Sequence, residues 1–286
     1  LDIKNALLHQ FNLRLTGEQK NTFLAFARGI FSSFGLSTAL YTSRSRGIRL
    51  TGAVAGSADS AEYVIAAYYD TPRRRLVATP RIISRRVSTG LISAMPAILL
   101  FFISLLFWRA GAPFAICECA FLVCLFAIYY LAPNTTNANF TSSGLLALFS
   151  LARSVQRGVS YALLDGADLP ADGISSLYKS YASRLDGKTV ILLGNVGVGR
   201  RICVGYPKGD EALRTLAEDI AGADGFVYVH KKTYLRVDCA KKTDIGYAQF
   251  NLRTQKDVEL SDDAVEHVSE RIAMAIERRL KSSMKV

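Results

Sequence analysis

Apolar residues along this chain recur with helical or strand-like spacing, and in one stretch with no polar interruption at all. From Gly17 to Phe34 the run GEQKNTFLAFARGIFSSF sets Phe23, Leu24, Phe26 and Ala27 at helical spacing, with Gly35 behind them as a C-terminal stop. Tyr63 to Tyr69 (YVIAAYY) is short, continuous and apolar, and it ends at Asp70-Thr71-Pro72. That pattern predicts a buried strand followed by a turn. Further on, 142–153 predicts a helix, 159–164 and 189–193 strands, 211–221 a helix, 225–229 a strand, and 262–280 a long amphipathic helix. Strands alternating with helices imply an α/β fold, a mixed twisted sheet flanked by helices.

The uninterrupted stretch has a different meaning. Val87 to Trp108 (VSTGLISAMPAILLFFISLLFW) carries no formal charge, and Pro113 to Ala132 (PFAICECAFLVCLFAIYYLA) carries a single acid, Glu118. Each run has the roughly 20 residues that a bilayer-crossing helix needs. The Arg109–Ala112 connection allows only a tight antiparallel turn. The chain therefore divides into 1–72, a basic segment and transmembrane hairpin at 73–133, and 134–286, with the outer two read as pieces of one domain. Arg73, Arg74, Arg75, Arg81, Arg85 and Arg86 crowd the approach to the first span. Such flanking charge favours the cytoplasmic side, so the expectation is an integral membrane protein with its polar domain and both termini in the cytoplasm. The competing reading is a pair of buried core helices. Glu118 is an intramembrane acid, either functional or paired with Arg109.

Charge and cysteine usage narrow the partners. The formal net charge is +11, which suits anionic lipid head groups read by the six arginines. No nucleic-acid-binding motif accompanies the basic balance, so a nucleic-acid partner is not expected. The cysteines (117, 119, 124, 203 and 239) show no zinc-finger spacing and are expected to be reduced. Gly194 to Gly199 follows a strand but lacks GxGxxG spacing and runs on into Arg200-Arg201-Ile202-Cys203-Val204; it reads as a glycine-rich hairpin, not a dinucleotide loop.

The order of short motifs outside the hairpin resembles the M28 family of zinc aminopeptidases. Ala67-Tyr68-Tyr69-Asp70-Thr71 stands where that family has Ala-His-x-Asp-Thr at a strand end. Asn137 to Gly144 is similar to its helix-opening Gly-Ala-Asp-Asp-x-x-Ser-Gly, and Asp165-Gly166-Ala167-Asp168 to its Asp-Gly-Glu-Glu. Leu193-Gly194-Asn195 resembles Asn-Leu-Asp, and Thr243 to Phe250 resembles the segment holding the last histidine, with Ile245 in its place. The resemblance implies a zinc-exopeptidase-like fold with two metal ions and a glutamate base.

Departures from the pattern change what it implies. The ligand positions become Tyr68, Asp70, Asn139, Asp168, Asn195 and Ile245, and the base becomes Ala167, which cannot accept a proton. Zinc is held by imidazole, thiolate or carboxylate donors, so no metal or other cofactor is expected, with zinc on the remaining carboxylates as the alternative. The expected function is a catalytically inactive, membrane-anchored interaction or scaffold subunit. The alternative is a divergent membrane-bound hydrolase using Asp70, Asp165 and Asp168. Small residues in the first span (Gly90, Ser93, Ala94, Ala97) add the expectation of a membrane-protein partner or a homo-oligomer.

Overall fold

A computed structural model describes residues 2–45, 47–72, 81–83, 119, 123, 136–167, 173–244, 246–249, 252 and 256–283. After a short helical segment at Ile3–Asn5 and Ala6–Gln10, helix α1 spans Gly17–Ser33. Thr16 and Gln19 start it with a reciprocal capping box: the Thr16 hydroxyl accepts from the Gln19 N–H, and Gln19 Oε1 accepts from the Thr16 N–H. Gly35 stops it in the left-handed conformation at φ 79°. A hairpin follows, β1 (Thr38–Ser45) and β2 (Ile48–Ala55), and then β3 (Tyr63–Tyr68) and the short β4 (Arg81–Ile82). The rest of the chain supplies α2 (Ser143–Ser154), β5 (Val159–Leu164), α3 (Gly173–Leu185), β6 (Thr189–Leu193) and β7 (Arg201–Pro207). It ends with α4 (Glu211–Ala221), β8 (Phe226–His230), β9 (Leu235–Thr243), β10 (Gly246–Gln249) and α5 (Asp262–Ser283).

The strands form a mixed sheet in the order β1-β2-β5-β3-β6-β9-β10-β4, with β7 pairing β9 and β8. At its centre β3 runs parallel to β5 on one side and β6 on the other. The sheet thus joins strands from both sides of segment 73–133. Successive β3 residues face opposite layers: Ile65 and Ala67 enter one core with α1, α2, α4 and α5, while Val64 and Ala66 enter the second core with Ile174 and Leu177 of α3. Burial on both faces explains why these strands read as continuous apolar runs rather than alternating ones. β7 pairs with β9 rather than with β6, so Gly194–Arg200 is a crossing connection and not the hairpin expected from its glycines.

The expected integral membrane location, with a cytoplasmic polar domain, is corrected. No helix among the described residues is long and apolar enough to cross a membrane. The longest, α5, has 22 residues but carries charged side chains throughout, and the more apolar α2 has only 12 and is buried against the sheet. The two apolar runs, 87–108 and 113–132, lie outside the described residues except for Cys119 and Val123. Glu118 and the arginines at 73, 74, 75, 85 and 86 lie outside them too, and Arg81 falls in β4.

Candidate functional site

Parallel strands converge at their C-terminal ends, and there the fold gathers its buried polar groups. The segment after β3 brings Asp70, that after β5 Asp165 and Ala167, and that after β6 Gly194 and Asn195. A wide helical turn, Ala138–Ser142, brings Asn139 in as it opens α2. Four of the six sequence-predicted ligand positions, Tyr68, Asp70, Asn139 and Asn195, therefore belong to one edge of the sheet. Asp168 and Ile245 lie outside the described residues.

Each of the polar side chains already has a structural partner. Both Asp70 carboxylate oxygens accept from the Ala167 N–H, at 2.9 and 3.0 Å. Asn139 Oδ1 accepts from the Gly197 N–H at 2.8 Å, and the Ser143 hydroxyl donates to the Asn139 carbonyl while accepting from the Val196 N–H. Asn195 Nδ2 donates to Gln249 Oε1 at 3.0 Å, and Gln249 Nε2 donates to the carbonyls of Asn195 and Cys239. The Asn195 N–H goes to Asp238 Oδ1 at 3.0 Å, and Asp238 is itself paired to Arg236 at 2.7 Å. Gly194 makes this approach feasible, because a Cβ there would sit 2.1 Å from Asp238 Oδ1. Asp257 accepts from the Asn139 and Phe140 N–H groups, so a protein carboxylate covers the donors that open α2.

Two cations complete the edge. Lys20 pairs with the buried Asp165 at 2.5 Å, and Asp165 also accepts from the Thr51 N–H. Arg14 is 0 % exposed. Its guanidinium donates to the Tyr69 and Phe11 carbonyls and, at 3.1 Å each, to the Thr141 and Ser142 hydroxyls. Its own N–H donates to the Thr71 hydroxyl at 2.9 Å. Burial pulls the guanidinium down to about 10, opposed by the charge of Asp70 and by Tyr69. Tyr69 and Tyr41 are pushed well above the ordinary phenol range by burial first, with Asp165 adding to the shift in both. Sequence reading missed Arg14, Asp257 and Gln249, because their partners lie as far as 128, 118 and 54 residues away along the chain.

A dinuclear zinc centre does not fit this donor set. The described positions offer a phenol, two amides that hydrogen-bond neighbouring protein groups, and one carboxylate that accepts from a backbone N–H with both oxygens. No group of three or more His, Cys, Asp or Glu side chains among the described residues could hold a metal ion. The cavity bounded by Tyr68, Ala167, Asn195 and Arg236 measures about 50 Å³. That is room for a few waters.

No protein-family model matches the sequence, and no curated protein matches it. Solved structures do resemble the fold. A leucine aminopeptidase precursor from Bacteroides thetaiotaomicron superposes with TM-score 0.56 at 14% identity, over 96% of this chain and 93% of that one. A glutaminyl cyclase from Porphyromonas gingivalis gives TM-score 0.58 at 13% identity, over 94% of each chain. The LapA aminopeptidase of Legionella pneumophila gives 0.52 at 11%, over 96% of this chain and 67% of that one. At these identities the likeness concerns architecture alone: the chain has a fold like that of these aminopeptidases and glutaminyl cyclases.

Proposed function

We propose that this chain is a catalytically inactive member of the aminopeptidase-like fold that serves as an interaction module. One observation carries the reading: the side chains at the ligand positions are spent on the protein itself, Asp70 on Ala167, Asn139 on Gly197 and Asn195 on Gln249. Ala167 at the position of the general base supports it further, since a methyl group cannot take a proton from water. The alternative, a hydrolase running on Asp70, Asp165 and Asp168, is disfavoured by the same pairing, because Asp70 is held by the Ala167 N–H and Asp165 is ion-paired to Lys20. The test is zinc content by plasma emission together with turnover of aminoacyl-nitroanilides and of peptides with N-terminal glutamine. The expected result is substoichiometric zinc and no turnover with either substrate. One zinc or more per chain, with turnover abolished by Asp168→Ala, would overturn the reading.

A further inference from the structure

A basic groove leads away from the amide cluster along the other side of the Gly197–Arg201 connection. Its volume is about 1070 Å³, and it lies between that connection, the end of β9 and the first turn of α5. A smaller recess of about 130 Å³ shares Val198, Lys241 and Glu259 with it and extends to Asn139 and Gln249. The groove is thus continuous with the edge of the sheet described above.

Its lining is mixed in a specific way. Arg200, Arg201, Lys241 and Lys242 face two carboxylates, Glu259 and Asp263. Arg201 is held by Asp224 at 2.7 Å, and Lys241 stands 3.8 Å from Glu259. Arg200 and Lys242 are exposed, and among the described residues neither forms an ion pair. Between these charges lie the apolar surfaces of Val198, Leu260 and Ala264.

We infer that this groove binds an acidic peptide segment in extended form. The volume is at the upper end of ligand sites and far larger than one inorganic anion requires. Cations spaced along an apolar floor complement a chain that alternates carboxylate and aliphatic side chains. A single-stranded nucleic acid would call for aromatic platforms, and His267 is the one aromatic ring lining the groove among the described residues. The inference goes beyond the reading of the domain as inactive and does not depend on it.

Fluorescence polarisation of a labelled peptide alternating glutamate and leucine, titrated with the full chain, tests it. Saturable binding is expected, falling as salt rises because the contacts are exposed. The double variant Arg200→Glu/Lys242→Glu, on two exposed side chains, should bind at least about tenfold more weakly, since two attractions become repulsions. Lys179→Glu/Lys208→Glu changes the net charge equally on exposed residues away from the groove, and it should leave affinity unchanged. Equal losses in the two double variants, binding insensitive to salt in the unaltered chain, or tighter binding of an oligothymidine that displaces the peptide would each overturn the inference. Where the double variant folds poorly, the single variants Arg200→Gln and Lys242→Gln, each expected to weaken binding, localise the site.

Discussion

Replacing Arg14 by alanine is the most informative perturbation of this fold. The guanidinium has two carbonyl partners, at Phe11 and Tyr69, and two hydroxyl partners, at Thr141 and Ser142. It also stacks over the Phe23 ring at 5.2 Å from the centroid. Truncation leaves the buried Tyr69 carbonyl without this donor, at about 1–3 kcal/mol, and the part-buried Phe11 carbonyl at less. The hydroxyls can turn to other acceptors and lose less. Relief of the guanidinium's own desolvation, visible in its lowered pKa of about 10, offsets part of the cost. The net expectation is a loss of about 3–5 kcal/mol, the usual range for removing one partner from a buried charged set. Arg14→Lys keeps the charge but has no planar fork to reach three segments, so it should fall between alanine and the native chain. Urea unfolding measures the total, and native-state hydrogen exchange localises it, with the fastest gain at the amides of Tyr69, Thr71 and Thr141. An Arg14→Ala chain within about 0.5 kcal/mol of the native one, the range of an ordinary surface substitution, would refute the cross-link.

Two further outcomes follow from buried phenols. Tyr161 donates its hydroxyl to the carbonyls of Leu151 and Val155 at the end of α2, so Tyr161→Phe should cost about 1–2 kcal/mol in urea unfolding with little change in the slope. Tyr41, Tyr69 and Tyr161 are all raised above the ordinary phenol value of about 10, chiefly by burial. Their folded values exceed the unfolded one, so the stability they contribute is complete below about pH 10 and is lost as pH rises above it. Arg14 acts in the opposite sense, because its folded value is depressed to about 10 and its cost is relieved as pH rises above that value. Three phenols against one guanidinium leave alkaline destabilisation as the net result. Tyrosinate absorbance should therefore show these three groups ionising together with the loss of circular dichroism rather than before it.

Legibility of the fold in the sequence followed burial. Val159–Leu164, Thr189–Leu193 and Glu211–Ala221 were readable to the residue because their apolar patterns are strong and their neighbours are turns. The β1–β2 hairpin was not, since β1 (TALYTSRS) is an edge strand with Leu40 more than half exposed and polar residues in most of the other places. Helix α3 (GISSLYKSYASRL) is rich in serine and tyrosine, which are middling helix formers, and its Tyr181 departs from helical geometry. β9 carries Arg236 and Asp238 in mid-strand, a pair that looks misplaced until their ion pair is seen. At the site, Tyr68, Asp70, Asn139 and Asn195 could be placed by motif order. The groups that satisfy them could not, because hydrogen bonds between residues more than fifty positions apart leave no local pattern.

A metal centre is also a cross-link, and its loss would leave the same chain ends to be joined by other means. Here the joints are identifiable. Arg14 ties the end of β3 to the start of α2, and Asp70 ties β3 to the connection after β5. Asn139 and Ser143 tie α2 to the connection after β6, and Gln249 and Asp238 tie that connection to β9 and β10. A typical joint contributes about 0.5–1.5 kcal/mol net, and those to charged groups about 1.5–3. Several together are a sizeable fraction of the roughly 5–15 kcal/mol that stabilises a domain. The polar edge is therefore part of the stability of the fold. On the proposed reading, placing a zinc ligand at any one of these positions would remove a joint before it supplied a metal site. Inactivity, on that proposed reading, would be spread over the whole cluster and would not reside in Ala167 alone.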